Sequence, residues 1–235
     1  MTKLIRPYFT IIGLELRKIW RAHLIQMILA AFAFLLLIRG GANWQDYTSN
    51  GLMFMVALIG LVGFGTLSSW VFANEFTSQT FKDLLALPIS RRTIIIGKLF
   101  AIEGVELLIT TCELVLLFIF GWLSLHTTMP STVFHHVVST VGVTFVYNVL
   151  LSFLWPLVAS LTKNVLLPVT LSFGTLIIAV MFSGRVIGQF IPWSIPGYLM
   201  AQSQQPSVIN TLIVSVIGVI GVYGTLYVWI NQDQH

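Results

Sequence analysis

Six stretches of this sequence are apolar almost without interruption: Ala22 to Ile38, Gly51 to Ala73, Leu99 to Trp122, Val137 to Leu161, Leu166 to Phe182 and Val208 to Ile230. They run for 17, 23, 24, 25, 17 and 23 residues. A bilayer core takes about 17–25 apolar residues per helix, and a backbone in lipid must satisfy its own N–H and C=O groups. The pattern therefore predicts an all-α polytopic membrane protein with six transmembrane helices, a single transmembrane domain over residues 1–235. The gaps between the runs are 21, 12, 25, 14, 4, 25 and 5 residues. A soluble domain below ~40 residues rarely folds alone. No fused ATPase, receptor or DNA-binding domain fits between the runs.

Three of the gaps carry patterns of their own. Residues 7–21 read as a helix with Pro7 at its first position. At 100° per residue, Tyr8, Phe9, Ile12, Leu16, Ile19 and Trp20 fall on one stripe, opposite Arg17, Lys18 and Arg21. That is the pattern of a helix lying in the membrane interface, or of an extension of the first span. Residues 75–87 of the 74–98 loop can also be helical. Phe81, Leu84 and Leu85 cluster at helical spacing, Pro88 stops the helix, and Ser90 is placed to cap the next one. Such an apolar helix must dock on the bundle or on a partner protein. In the 183–207 gap, Pro192 and Pro196 break any continuous helix. Trp193 and Tyr198 suit the interface. Two short helices that dip part-way into the membrane and return are expected, with a flat-lying loop as the alternative.

Composition agrees with the runs: 57% of residues are hydrophobic and 9% charged, against about 25% charged in soluble domains. The basic residues orient the chain. With six spans, the loops on the side of the termini hold ten Lys and Arg, and the opposite loops hold Arg39 and Arg185. Lys and Arg stay in the cytoplasm, so both termini and the 74–98 loop are predicted cytoplasmic and the 183–207 segment external. Arg91, Arg92 and Lys98 are then expected at headgroup level, anchoring the start of the third span. The net charge of +4 is explained by orientation and gives no sign of nucleic-acid binding. The first run lacks a cleavage site and reads as a retained span. Cys112, the single cysteine, has no internal disulfide partner.

The third run carries Glu103, Glu106 and Glu113, all within about an 80° sector of one helix. A carboxylate at mid-bilayer costs about 2.5–3.5 kcal/mol even on the lenient insertion scale. This face must point into the bundle, a partner or a wet cavity, and Asn148 on the fourth run could supply an amide. The face reads either as a polar lining for a cationic or amphipathic substrate or proton, or as a structural hydrogen bond between helices. Recognised catalytic and metal patterns are missing: no P-loop, no H-E-x-x-H and no G-x-S-x-G occur. His135 and His136 are adjacent and diverge on a helix. No catalytic residue, metal or cofactor is assigned to the chain. Gly60 with Gly63, and Gly218, Gly221 and Gly224, read as close-packing surfaces.

At the 74–98 loop the residues Glu75-Phe76, Thr80, Lys82, Leu84-Leu85, Leu87-Pro88, Ser90-Arg91-Arg92 and Gly97-Lys98 resemble the permeases of the type 2 ATP-binding-cassette exporter family. The likeness is to the small bacterial permeases of antimicrobial-peptide and bacitracin resistance. The resemblance implies a multi-pass subunit of the bacterial plasma membrane. Its loop, through Glu75, Phe76, Thr80, Phe81, Lys82, Leu84, Leu85, Leu87 and Pro88, would seat in a groove of a separate nucleotide-binding ATPase. Two ATPase copies would bind the ATP and Mg, and a second or related permease would complete the pair. Pro192, Trp193, Pro196 and Tyr198 would form an external gate. The substrate implied is an amphipathic peptide, antibiotic or lipid-like molecule. The third-run glutamates are not a hallmark of the family. The residues also leave open an intramembrane hydrolase using those glutamates, or a non-transporting immunity or sensor protein.

Overall fold

The computed structural model describes residues 2–80, 89–202 and 205–231. Within these, every regular element is helical and no strand occurs. Helix α1 spans Thr2–Arg21 and α2 Leu24–Ile38. Helix α3 (Trp44–Met53), a π-helical stretch (Phe54–Gly63) and α4 (Phe64–Thr77) form one rod. Helix α5 is Arg91–Leu125; α6 (Ser131–Ser152) and α7 (Leu154–Thr162) follow, then α8 (Leu166–Phe182). Two 3₁₀ turns (Val186–Phe190 and Pro192–Ser194) lead into α9 (Ile195–Gln202), and α10 (Val208–Asn231) ends the described chain.

Four rods are long and apolar enough to cross a membrane: Trp44–Thr77, Arg91–Leu125, Ser131–Thr162 and Val208–Asn231. A fifth follows if α1 and α2 count as one span bent by 51°. The six uniform spans of the hydropathy pattern are thus reduced to four or five candidates. The reason is length. Helix α2 has 15 residues, about 22 Å at 1.5 Å per residue, against a core of about 30 Å. Helix α8 has 17 residues, the bounds expected from the sequence.

Local chemistry sets the element ends. The Asn43 side chain accepts from the Asp46 N–H at 2.9 Å and starts α3 seven residues before the apolar run. Ser90 caps α5, accepting from the Thr93 N–H at 3.2 Å. Ser207 and Asn210 cap α10 reciprocally, each side chain accepting from the other's backbone N–H at 3.1 Å. Helix α1 begins before Pro7, which lies inside it. The bond that Pro7 forfeits is only to the carbonyl of residue 3, beside the helix end. The fourth run breaks at Phe153 because Pro156 denies the Ser152 carbonyl its i+4 donor. The continuous 75–87 helix is overturned as well: α4 stops at Thr77, and Gln79 is left-handed at φ 57°. Thr77 and Ser78 hydroxyls both donate to the Asn74 carbonyl, at 3.2 and 2.5 Å, and compete with the helix.

The Trp44–Thr77 rod lies at the centre, with its most apolar stretch 72% buried against 22–44% for the other three. The perimeter is apolar, and the hydrophobic interior also holds buried polar and charged side chains. Along α5, Leu107, Val115, Ile119 and Trp122 are exposed while Glu106 and Glu113 are buried. Water would forbid that arrangement and lipid requires it. Close approach of backbones completes the bundle. A Cβ on Gly221 would collide with the Phe153 carbonyl, and one on Gly60 with the Asn148 amide.

Candidate functional site: a buried charge cluster beside the 74–98 loop

Four charged side chains from three helices meet where the 74–98 loop leaves and re-enters the bundle. Lys98, on the second turn of α5, is wholly buried. Its Nζ donates to Glu75 Oε1 at 2.8 Å and to the Val71 carbonyl at 3.1 Å, and forms an ion pair with Glu15 Oε1 at 3.0 Å. Two of the three ammonium protons are donated to these acceptors, and the charge is paired with both carboxylates. The Phe72 ring lies 5.7 Å from the same nitrogen. Lys18, part-exposed on α1, donates to Glu15 Oε1 at 3.0 Å and to Glu75 Oε1 at 2.7 Å. Thr80 Oγ1 donates to the other Glu75 oxygen at 2.8 Å. Two carboxylates and two ammoniums balance, which is the condition for charges to remain buried.

Neighbouring residues explain why α1 can come so close. A Cβ on Gly97 would lie 2.8 Å from Ile11 Cγ2, so only glycine lets α1 rest on α5 one residue before Lys98. Ile11, Glu15 and Ile19 form the buried face of α1, and Phe9, Leu16 and Trp20 stay exposed. The predicted stripe is therefore corrected: Ile19 turns inward, and Glu15, missed in the sequence reading, joins the site. The signal for Glu15 was there, as the one carboxylate in an otherwise basic segment.

The anchoring residues divide. Lys98 is wholly buried and turned inward, toward Glu15, Glu75 and the Val71 carbonyl. Arg91 also turns inward, donating to the Trp229 and Ile230 carbonyls at 3.0 and 3.3 Å at the end of α10. A cation there suits the negative helix terminus. Arg92 is exposed. Trp229 packs edge-on to Phe72 and Phe76, at 5.6 and 6.0 Å between centroids, and donates to Ser160 Oγ at 2.8 Å. Of the loop residues, Glu75 is buried, Phe76 half-buried and Thr80 exposed. Phe81, Lys82, Leu84, Leu85, Leu87 and Pro88 lie outside the described residues.

The third-run glutamates do not act as one group. Glu103 is half-buried. Glu106 is fully buried and accepts from Ser68 Oγ at 3.3 Å. Glu113 is buried beside Asn148, and both line a small cavity with Thr110 and Thr144. At the other end of the bundle, Pro192, Trp193 and Tyr198 are half-buried and Pro196 is buried. Around them Ser194 donates to the Ile178 carbonyl at 3.3 Å, and Asn210 donates to the Gln189 carbonyl at 2.7 Å. No group of three or more His, Cys, Asp or Glu able to hold a metal occurs among the described residues.

An all-helical bundle with a lipid-facing apolar perimeter and internal ion pairs is a multi-pass membrane protein. The chain belongs to a transporter family: the profile described as "ABC-2 family transporter protein" matches residues 11–183. It is also similar to the "Bacitracin transport permease protein BCRB" of Bacillus licheniformis, 24% identical over 199 residues that cover 82% of this chain and 94% of the relative. It is accordingly a transport permease subunit.

Proposed function

We propose that this chain is the membrane-spanning half of an ATP-driven exporter, powered by a separate nucleotide-binding subunit. That subunit would be present in two copies, bind the ATP and Mg, and act on a pair of permeases. The substrate class that the likeness to a bacitracin permease favours is an amphipathic peptide, antibiotic or lipid-like molecule. In this reading α1–α2 and α8 complete six crossings, both termini are cytoplasmic, and the 183–207 segment dips in from outside as the external gate around Pro192, Trp193, Pro196 and Tyr198. Residues 74–88 are the contact with the ATPase.

The observation that carries the proposal is the charge cluster. It ties the loop's first residues (Glu75, Thr80), the start of α5 (Lys98) and α1 (Glu15, Lys18) into one unit. A push on the loop is then delivered to three helices together, as rigid-body switching requires. The test is to co-express the chain with candidate nucleotide-binding ATPases from its own genome, purify any complex in nanodiscs and measure ATP hydrolysis with and without bacitracin-like peptides. Co-purification with peptide-stimulated hydrolysis is expected. A chain that purifies alone and hydrolyses lipid or peptide by itself would overturn the reading.

A further inference from the structure

The cavity beside Glu113 has a chemistry that the transport reading does not use. It measures ≈ 10 Å³, room for one water-sized occupant. Glu113 Oε1 and Asn148 Oδ1 are both buried and both lack a hydrogen-bond partner. Their residues are 1% and 3% exposed. The other polar groups in the lining have their protons committed to backbone carbonyls. Thr110 Oγ1 donates to the Glu106 carbonyl at 2.9 Å, and Thr144 Oγ1 to the Thr140 carbonyl at 2.7 Å. The Asn148 amide nitrogen donates to the Val56 carbonyl, in the π-helical stretch, at 3.1 Å. What remains is one carboxylate oxygen, one amide oxygen and two hydroxyl oxygens with free lone pairs.

We propose that this cavity binds one sodium ion, held by Glu113, Asn148, Thr110 and Thr144. A hard cation takes oxygen ligands. A single carboxylate balances a single positive charge, and a divalent ion would leave one charge uncompensated in low dielectric. A neutral water would satisfy the two orphan acceptors but leave the carboxylate charge buried unless Glu113 takes up a proton, the competing way to neutralise the site. No other residue lining the cavity titrates. On the packed elements, α5 adds Arg91, Arg92 and Lys98 near its start, then Glu103, Cys112 and Glu106, the last facing Ser68. Helix α4 adds only Glu75 at its far end. Helix α6 adds His135 and His136 at its start and Tyr147, whose hydroxyl is tied to Thr211. The π-helical stretch adds none. The bound ion would join α5, α6 and the π-helical stretch, so binding is read as stability. The inference is independent of the ATPase partner.

The experiment uses the whole chain in nanodiscs. Its unfolding midpoint is followed by tryptophan fluorescence in sodium, potassium or choline chloride at constant ionic strength, over a range of pH, alongside radioactive-sodium binding by equilibrium dialysis. The midpoint is expected to rise with the logarithm of sodium concentration, by about 3 °C or more at tenfold excess over Kd, with one sodium bound per chain. Thr110→Val and Thr144→Val should each weaken sodium binding about tenfold, the loss of one oxygen ligand. Glu113→Gln should abolish it, and Glu103→Gln should leave it unchanged. A midpoint insensitive to sodium but dependent on pH, with that dependence lost in Glu113→Gln, would mean that a proton on Glu113 neutralises the cavity, and the proposal fails. Equal midpoints in all three salts at every pH, with no sodium bound to the wild-type chain, would mean that a neutral water fills the site and the proposal fails. The wild-type binding measurement decides even if a variant does not fold.

Discussion

Lys98 shows what a single residue can hold in place. Removing it leaves Glu15 and Glu75 sharing only Lys18, so Lys98→Met should destabilise the chain by about 3–5 kcal/mol, the cost of an uncompensated buried partner. Lys98→Met combined with Glu75→Gln should cost less than Lys98→Met alone, because it restores neutrality. Unfolding in mixed micelles as a double-mutant cycle checks both, and a double variant less stable than either single would contradict the account. Lys98→Arg should not rescue, since a planar five-donor fork does not fit three acceptors arranged for an ammonium. The residue types of this site were legible in the sequence, but their partners were not. Along its own helix the nearest carboxylate to Lys98 is Glu103, five residues on. The true partners lie 23 and 83 positions back along the chain, where no periodicity points.

Helix packing rests on glycine faces that hydropathy alone does identify. Gly218, Gly221 and Gly224 lie against Leu150, Phe153 and Leu157. Gly221→Leu must push α10 off the break between α6 and α7, and should cost at least about 1–3 kcal/mol and lower folded yield in detergent. Gly104→Ala, on α5 with nothing within 4 Å, should leave yield unchanged. Gly97→Val should lift α1 from α5 and expose Lys98 to solvent, measurable as faster proteolysis within residues 2–21. Helix starts were partly readable, as with Ser90. Helix ends were not. His23, Gln79, His126 and Lys163 all take the left-handed conformation just past a helix, a position where glycine is the usual marker, and none of them is glycine. The π-helical stretch Phe54–Gly63 likewise left no trace in the apolar pattern.

For the molecule as a whole, the apolar runs conveyed the class: helices only, lipid outside, polar groups within. They overstated the number of uniform spans, because run length ignores the left-handed turn at His23 and the shortness of the helices that α2 and α8 actually form. Topology is open to direct test. A cysteine introduced at position 83, in a Cys112→Ser background, should react with a membrane-impermeant maleimide only after the cell is permeabilised. One at position 186 should react in intact cells. Labelling of position 83 from outside would overturn the proposed orientation and, with it, the ATPase contact.

The joint at Ala22 and His23 has a mechanical meaning. Helix α1 is gripped by α5 through Ile11, Glu15 and Ile19 and by α4 through Lys18 and Glu75, yet it reaches α2 through two residues only. Any swing of the loop-bearing end should carry α1 along and be absorbed at this swivel. The neighbouring apolar helix would stay seated in lipid while the machinery beside it turns.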